Sequence, residues 1–171
     1  HVFTNTRIEE VLGKDCVEKV RFSDGEELSV DNIILGLGAA PNTSISVDAG
    51  LDLGRGKGIW VDEYMRTVDP DIFAVGDCAE KKDFFTRKTS GIMLASTACA
   101  EARIAGMSLY KLSAVKTFGG TIAIFSTAIG NTGFGVAGLT ESMAKKEGFD
   151  FVTGMFEGID KHPGTLPGTN K

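Results

Sequence analysis

The sequence predicts an α/β fold that becomes α+β at its carboxyl end, and three patterns lead to that prediction. Alternating segments joined by turns open the chain and run into an unbroken apolar stretch at residues 33–38. A second apolar run, residues 72–75, ends abruptly in Gly76 and Asp77, and a long helical pattern follows it. Short apolar runs bounded by turn residues are typical of strands buried on both faces of a parallel sheet.

Composition narrows the class of protein. With 171 residues, of which 42% are hydrophobic, the chain can bury a core without disulfides. Its formal net charge of −5 and the lack of a basic cluster argue against nucleic acid or an acidic membrane as a partner. No apolar run is long enough to span a membrane, so we expect a cytoplasmic protein. Cys16, Cys78 and Cys99 lack CxxC spacing, which predicts buried free thiols and no metal site.

The first 37 residues predict strands. Residues 17–22 alternate, and residues 23–26 supply a hairpin turn, so we expect a short antiparallel meander. Residues 33–38 then predict a buried strand that ends in a glycine loop, which suits a ligand and a plain turn equally well. Residues 42–49 predict a short helix capped by Asn42 or Thr43.

The central stretch TVDPDIFAVGDCAE, residues 67–80, is the most informative part of the chain. A buried parallel strand is expected at residues 72–75. Gly76 lets the backbone turn at the carboxyl end of that strand, where open α/β sheets bind their ligands. The Asp77 carboxylate can only accept hydrogen bonds, which suits a ribose or ribityl chain. On these two residues alone, an ordinary strand-to-loop turn is the favoured interpretation.

A polar, mobile loop is expected at residues 81–89, followed by a helix over residues 91–110 with Ser90 as its N-cap. If the amino end of this helix faces Asp77, its dipole would stabilise an anionic ligand. A core helix whose dipole faces nothing is the favoured alternative on local grounds.

Strand patterns return after residue 115. Residues 121–127 and 135–138 predict strands, and the glycine-rich residues 130–135 predict a linker or hairpin rather than a phosphate loop. A compact helix follows, with Thr140 as N-cap, lysines in its last turn and Gly148 as its stop. Residues 149–156 predict a final strand, and His162 lies in a loop and is interpreted as inert.

Three stretches together resemble the carboxyl-terminal portion of the FAD-dependent pyridine nucleotide-disulfide oxidoreductases, in the branch of NADH oxidases and CoA-disulfide reductases. They are VDNIILGLGAAPNTSI (residues 30–45), GIWVDEYMRTVDPDIFAVGDCAE (58–80) and VAGLTESMAKKEGFD (136–150). The resemblance implies a flavoprotein with two dinucleotide-binding domains. Residues 1–38 would end the NAD(P)-binding domain with a meander and a returning strand. Residues 39–113 would form the second FAD-binding segment, and residues 114–171 would start an interface domain that forms a homodimer.

The same resemblance implies site residues and cofactors. Asp77 would hydrogen-bond the ribityl chain of FAD, and Gly76 would allow that approach. The helix start would face the flavin pyrimidine edge, and Gly38 would lie near the NAD(P)H crossing. The helix-start residues implied are Leu94, Ala95, Ser96 and Thr97. Hydride would pass from NAD(P)H to flavin and on to a small-molecule acceptor, which is oxygen, a disulfide or a persulfide.

The chain departs from the family pattern in four ways. Both GxGxxG motifs and the active-site cysteine are missing, and none of the three cysteines falls at the catalytic position. We therefore expect the redox cysteine upstream of this chain and an inactive piece in isolation. The segment HPGTLPG, residues 162–168, lacks the tyrosines of some CoA-disulfide reductases, which argues against CoA disulfide as substrate. The alternative is a non-catalytic dimerisation or docking module with a vestigial FAD motif.

Overall fold

The computed structural model describes residues 1–111, 116–159, 165 and 167, and it divides into two compact units, His1–Ala39 and Ala40–Lys171. Within the described residues the fold mixes small antiparallel sheets with three α-helices. The predicted α/β class with an α+β carboxyl end is confirmed. The three proposed family segments stay predictions. His162 and most of the HPGTLPG segment lie outside the described residues.

The first unit is the predicted meander. Strands β1 (Ile8–Leu12), β2 (Lys19–Phe22) and β3 (Glu27–Ser29) pair antiparallel in the order β1-β2-β3. The backbone N–H of Phe22 donates to the Glu26 carbonyl, which closes the β2–β3 turn. Val20 and Phe22 are buried, so the alternation of β2 sorts its side chains by face as predicted.

The strand predicted at residues 33–38 is absent from the structure. Ile34 is 95% exposed and Leu37 is 88% exposed, and no described residue pairs with this segment. A strand needs a hydrogen-bonded neighbour as well as an apolar sequence. The apolar pattern predicts a buried, paired strand, and both parts of this prediction are wrong for this structure.

The second unit begins with helix α1 (Ser44–Asp48), and of the two predicted caps Thr43 occupies the N-cap position, without a side-chain hydrogen bond to the helix. The predicted mobile loop at residues 81–89 is instead a hairpin of strands β4 (Lys81–Lys82) and β5 (Thr89–Ser90). The Asp83 side chain organises its turn, because Oδ1 accepts from the backbone N–H groups of Phe85 and Thr86. This local hydrogen bonding was overlooked in the polar sequence.

Residues 72–75 do not form the predicted parallel strand. Phe73 makes an isolated antiparallel bridge to Arg66, and the N–H of Ala74 donates to the Met65 carbonyl. The segment still lines the core, where Ala74 is buried with Ile59. Its expected place in the interior is correct, but its pairing is not that of a sheet strand.

Helix α2 spans Ala95–Ser108 and begins later than predicted, because Leu94 rather than Ser90 is its N-cap. Ser90 belongs to β5, and its hydroxyl accepts from the N–H of Ile92 outside the helix. The buried residues of α2 recur at helical spacing and face one side: Thr97, Glu101, Ile104 and Ala105.

The carboxyl part contains a hairpin and a helix. Strands β6 (Ile124–Ile129) and β7 (Thr132–Ala137) pair antiparallel, so of the predicted linker or hairpin the hairpin is correct. Its turn is shorter than predicted, because only residues 130 and 131 lie between the strands and residues 132–135 belong to β7. Helix α3 spans Glu141–Glu147 between the predicted cap Thr140 and the predicted stop Gly148. The strand predicted at residues 149–156 is wrong, because this segment pairs with no described residue and Phe156 is 93% exposed.

The cysteines differ from expectation in burial. All three are free, but Cys16 and Cys99 are exposed and Cys78 is half-buried. Cys16 lies between β1 and β2 and Cys99 lies on α2, so neither position contributes to the core. Among the described residues, no helix combines the length and apolarity needed to cross a bilayer.

Candidate functional site

The turn at Gly76 and Asp77 is the centre of the candidate site. Val75 is extended with φ −141° and ψ 162°, and Gly76 then takes φ +77° to start a 3₁₀ turn over Gly76–Cys78. An L-residue with a Cβ atom is strained at this φ, so the turn requires glycine. Asp77 follows with its side chain exposed. The backbone thus presents a carboxylate immediately after a sharp change of direction.

Helix α2 passes directly behind this turn. A Cβ atom placed on Gly76 would lie 3.7 Å from the Cβ atom of Ala98, in the first turns of the helix. The N-cap Leu94 is extended and supplies no side-chain hydrogen bond. Ala95 and Ser96 are exposed, and the first backbone N–H groups of a helix have no partner within the helix. The positive end of the helix dipole adds to their preference for negative charge.

Thr97 has a different role from its neighbours at the helix start. Its side chain is buried, and its Oγ1 lies 2.8 Å from Oγ1 of Thr121. This hydrogen bond ties the first turn of α2 to the segment before β6. The structure therefore brings together Gly76, Asp77 and the predicted helix-start residues, with Thr97 anchoring the helix rather than facing outward.

A buried ion pair holds the turn from within. Oε2 of Glu101 accepts from the N–H of Gly76 at 2.7 Å, and Lys81 Nζ donates to the Gly76 carbonyl and to the Ala79 carbonyl, the latter at 3.2 Å. Lys81 Nζ also lies 3.6 Å from Oε1 of Glu101. Both sides of the Gly76 peptide backbone are thus held by charged side chains from β4 and α2.

Glu101 is fully buried, and a backbone N–H group and two charged side chains act on its carboxyl group. Glu101 is 0% exposed, and burial raises the pKa of its carboxyl group above the ordinary value. The Gly76 N–H and then Lys81 pull that pKa back down, while the Asp77 charge raises it slightly. Oε1 of Glu101 has no hydrogen-bond partner in the described part of the chain and faces the Lys81 ammonium.

Sequence reasoning missed the pairing of Lys81 with Glu101. The sequence predicts a polar loop at Lys81 and a helix around Glu101, and neither pattern links the two residues. A signal was available, since Glu101 shares a helix face with Thr97, Ile104 and Ala105. A carboxylate on the buried face of a helix requires a charged or hydrogen-bonding partner nearby.

Gly38 belongs to the other unit. It has φ +88° and lies in the exposed segment after the meander, with no atom within 4 Å of a Cβ placed on it. This left-handed backbone favours glycine, and the role of Gly38 near NAD(P)H stays a prediction. In the described ranges, no cluster of His, Cys, Asp or Glu could hold a metal ion.

The Gly76 turn exposes a carboxylate beside the amino end of α2. The chain belongs to the pyridine nucleotide-disulphide oxidoreductase family, whose model matches residues 1–102. The resemblance found in the sequence is therefore confirmed.

Known relatives extend this similarity beyond the matched residues. The chain is 32% identical over 158 residues to an NAD(P)H sulfur oxidoreductase (CoA-dependent) of Pyrococcus furiosus, covering 92% of this chain and 35% of that protein. It is 30% identical over 160 residues to an NADH oxidase of Methanocaldococcus jannaschii, covering 94% of this chain and 35% of that protein. The chain thus spans about a third of the length of these relatives.

A solved structure shows the same similarity in three dimensions. The FAD-dependent pyridine nucleotide-disulphide oxidoreductase from Desulfovibrio vulgaris superposes with a TM-score of 0.71 at 34% identity, covering 86% of this chain and 36% of that one. This chain therefore corresponds to about a third of that larger protein.

Proposed function

We propose that this chain is the carboxyl-terminal, flavin-binding part of an FAD-dependent NAD(P)H oxidoreductase. The single observation behind the proposal is the Gly76 turn, which exposes Asp77 beside the open amino end of α2. The enzyme passes hydride from NAD(P)H to flavin and on to oxygen, a disulfide or a persulfide. The names of the sulfur oxidoreductase and NADH oxidase relatives support both kinds of acceptor.

The residues present fit FAD. The exposed Asp77 carboxylate is a hydrogen-bond acceptor suited to the ribityl hydroxyl groups, and Gly76 leaves room beside it. The N–H groups at the start of α2, over residues 94–97, suit the flavin pyrimidine edge, which is electron-rich when the flavin is reduced. The bound flavin supplies the hydride chemistry, and this chain holds and orients it.

The second cofactor and the assembly are further parts of the proposal. Gly38, with its left-handed backbone, lies at the NAD(P)H crossing. The chain forms a homodimer through its carboxyl-terminal part, which is supported by the exposed apolar side chains of the β6–β7 hairpin. The protein acts in the cytoplasm, where NAD(P)H is available and its free thiols stay reduced.

The test is the flavin content of the full-length gene product that contains this chain. Asp77→Ala should weaken FAD affinity by about tenfold or more, because hydrogen bonds to a charged group are among the stronger ones. The measurement is the flavin absorbance per polypeptide, followed by anaerobic titration with NADH to bleach the flavin band.

Asp71→Ala is the matched control, because Asp71 is an exposed aspartate on the same stretch that precedes the turn. It should leave the flavin content unchanged. Equal flavin in the Asp77 variant and the unmodified protein would refute the role of Asp77. A protein that stays colourless after incubation with FAD would favour the docking-module alternative.

A further inference from the structure

We propose that Lys81 and Glu101 are positioning residues for the flavin, which hold the Gly76–Asp77 turn in its binding conformation and make flavin affinity depend on pH. This inference rests on the proposed function. Neither side chain needs to touch the cofactor, because both are buried and act through the backbone of the turn.

Lys81 and Glu101 both make hydrogen bonds to the backbone of the turn. The Glu101 carboxylate accepts the Gly76 N–H, and the Lys81 ammonium binds the carbonyls of Gly76 and Ala79, which are the first residue of the 3₁₀ turn and the residue that caps its end. Asp77 lies between these contacts. Its backbone position is thus set by two charged groups from different elements, β4 and α2.

A charged pair is an unusual choice for the buried space beneath the turn. A buried ion pair costs desolvation, and apolar side chains of similar volume are often as stabilising or more so. Met65, Ile104 and Ala105 form an apolar cluster on the same side of α2, so apolar residues could fill this space. A pair whose hydrogen bonds go to one backbone turn instead fixes the shape of that turn, which a methionine or leucine cannot do.

The groups that face Glu101 determine how flavin affinity depends on pH. They are Lys81 from β4, Asp77 from the turn and the Gly76 N–H. Protonation of Glu101 removes the charge opposite Lys81 and weakens the grip on Gly76. Flavin affinity should therefore fall as pH falls through the pKa of Glu101, which burial raises.

The stability of the apoprotein should change with pH in the direction opposite to flavin affinity. A carboxyl group whose pKa is raised in the folded state adds stability that is complete below its unfolded pKa and is lost as pH rises through the folded pKa. Flavin affinity and apoprotein stability should thus change in opposite directions over the same pH range. A purely structural role for the pair would not produce this divergence.

The experiment uses the full-length protein stripped of flavin and titrated with FAD. The double variant Lys81→Met with Glu101→Met should keep a thermal midpoint close to that of the unmodified protein, because an apolar pair replaces an ionic one. Its dissociation constant for FAD should rise about tenfold, because the turn loses its acceptor and its donor. The matched control replaces the exposed Lys145–Glu141 pair in the same way and should change neither quantity.

The single variant Glu101→Gln provides the second measurement and keeps the size of the side chain. Its amide oxygen still accepts the Gly76 N–H, but it does not titrate, so the pH dependence of FAD affinity between about pH 4 and 8 should disappear. A double variant with unaltered FAD affinity would overturn the inference. So would a Glu101→Gln protein whose pH profile matches the unmodified one, and this result decides the matter if the double variant does not fold.

The two proposals fail separately. Loss of flavin in Asp77→Ala together with normal flavin binding in the Lys81 and Glu101 variants would refute the positioning role alone. Unchanged flavin binding in Asp77→Ala would refute the binding site itself, and with it the positioning role.

Discussion

Helices α2 and α3 differ in how their ends are capped. Helix α3 is closed at both ends by its own sequence, since Oγ1 of Thr140 accepts from the Met143 N–H and Gly148 takes the left-handed conformation with φ +75°. Helix α2 has no side-chain cap at its start and carries a fully buried glutamate. A helix that satisfies its own ends serves structure, whereas one that leaves its N–H groups open is available to a ligand.

The ion pairs of the two helices show the same contrast. Glu141 and Lys145 of α3 are one turn apart at 2.6 Å, with side chains 54% and 66% exposed. Lys81 and Glu101 join different elements at 3.6 Å, with side chains 2% and 1% exposed. Water screens the first pair, so it adds little, whereas the second pair is costly to break because either charge would remain buried alone.

The largest expected effect comes from breaking only one side of the buried pair. Glu101→Leu should destabilise the protein by about 3–5 kcal/mol, because it leaves the buried Lys81 ammonium without its carboxylate partner and the Gly76 N–H without its acceptor. The equivalent change in the exposed pair, Glu141→Leu, should cost less than about 1 kcal/mol. Denaturant unfolding of both variants measures the difference. Equal losses would show that burial does not separate the two pairs.

An intermediate effect is expected at the two left-handed glycines that serve the two helices. Gly76 has φ +77° and Gly148 has φ +75°, and a Cβ atom meets no close contact at either. Alanine at either position should cost about 1–2 kcal/mol through backbone strain alone. Thermal unfolding should show similar losses in both variants, but only Gly76→Ala should lower the flavin content. Flavin loss in both would argue that it follows stability rather than the turn.

The smallest effect is expected at the cap of α3. Thr140→Ala removes the hydroxyl that accepts the Met143 N–H and should cost about 1 kcal/mol. The midpoint of thermal unfolding should fall, while flavin content stays the same. Thr117→Ala, at an exposed threonine outside helices and strands, is the control and should shift neither value. A drop in flavin on loss of the Thr140 cap would mean that α3 is coupled to the binding turn.

Local chemistry explains which predictions succeeded. The meander followed from alternation and a turn, α3 followed from its cap and stop residues, and the Gly76 turn followed from a glycine at the end of an apolar run. In each case the signal lies in residues close together in the chain, and at the Gly76 turn Glu101 adds a hydrogen bond from 25 residues away. The start of α2 was misplaced because Ser90 is a good cap by type, yet it is used in β5.

Three failed strand predictions share one cause. The apolar runs at residues 33–38, 72–75 and 149–156 were all expected to be strands, and none pairs as one. Apolar composition indicates a preference for burial, but a strand also needs a neighbouring backbone at about 4.8 Å. That neighbour is chosen by the tertiary structure, which no local pattern contains.

By itself, the sequence determined the meander, the capped helix α3, the Gly76–Asp77 turn and the resemblance to the oxidoreductase family, because each depends on residues close together in the chain or on motifs in a fixed order. Only the tertiary structure decided that Lys81 and Glu101 meet beneath that turn. The two residues lie 20 positions apart in the sequence and in different elements, and a buried charge is tolerated only where folding brings its partner to it.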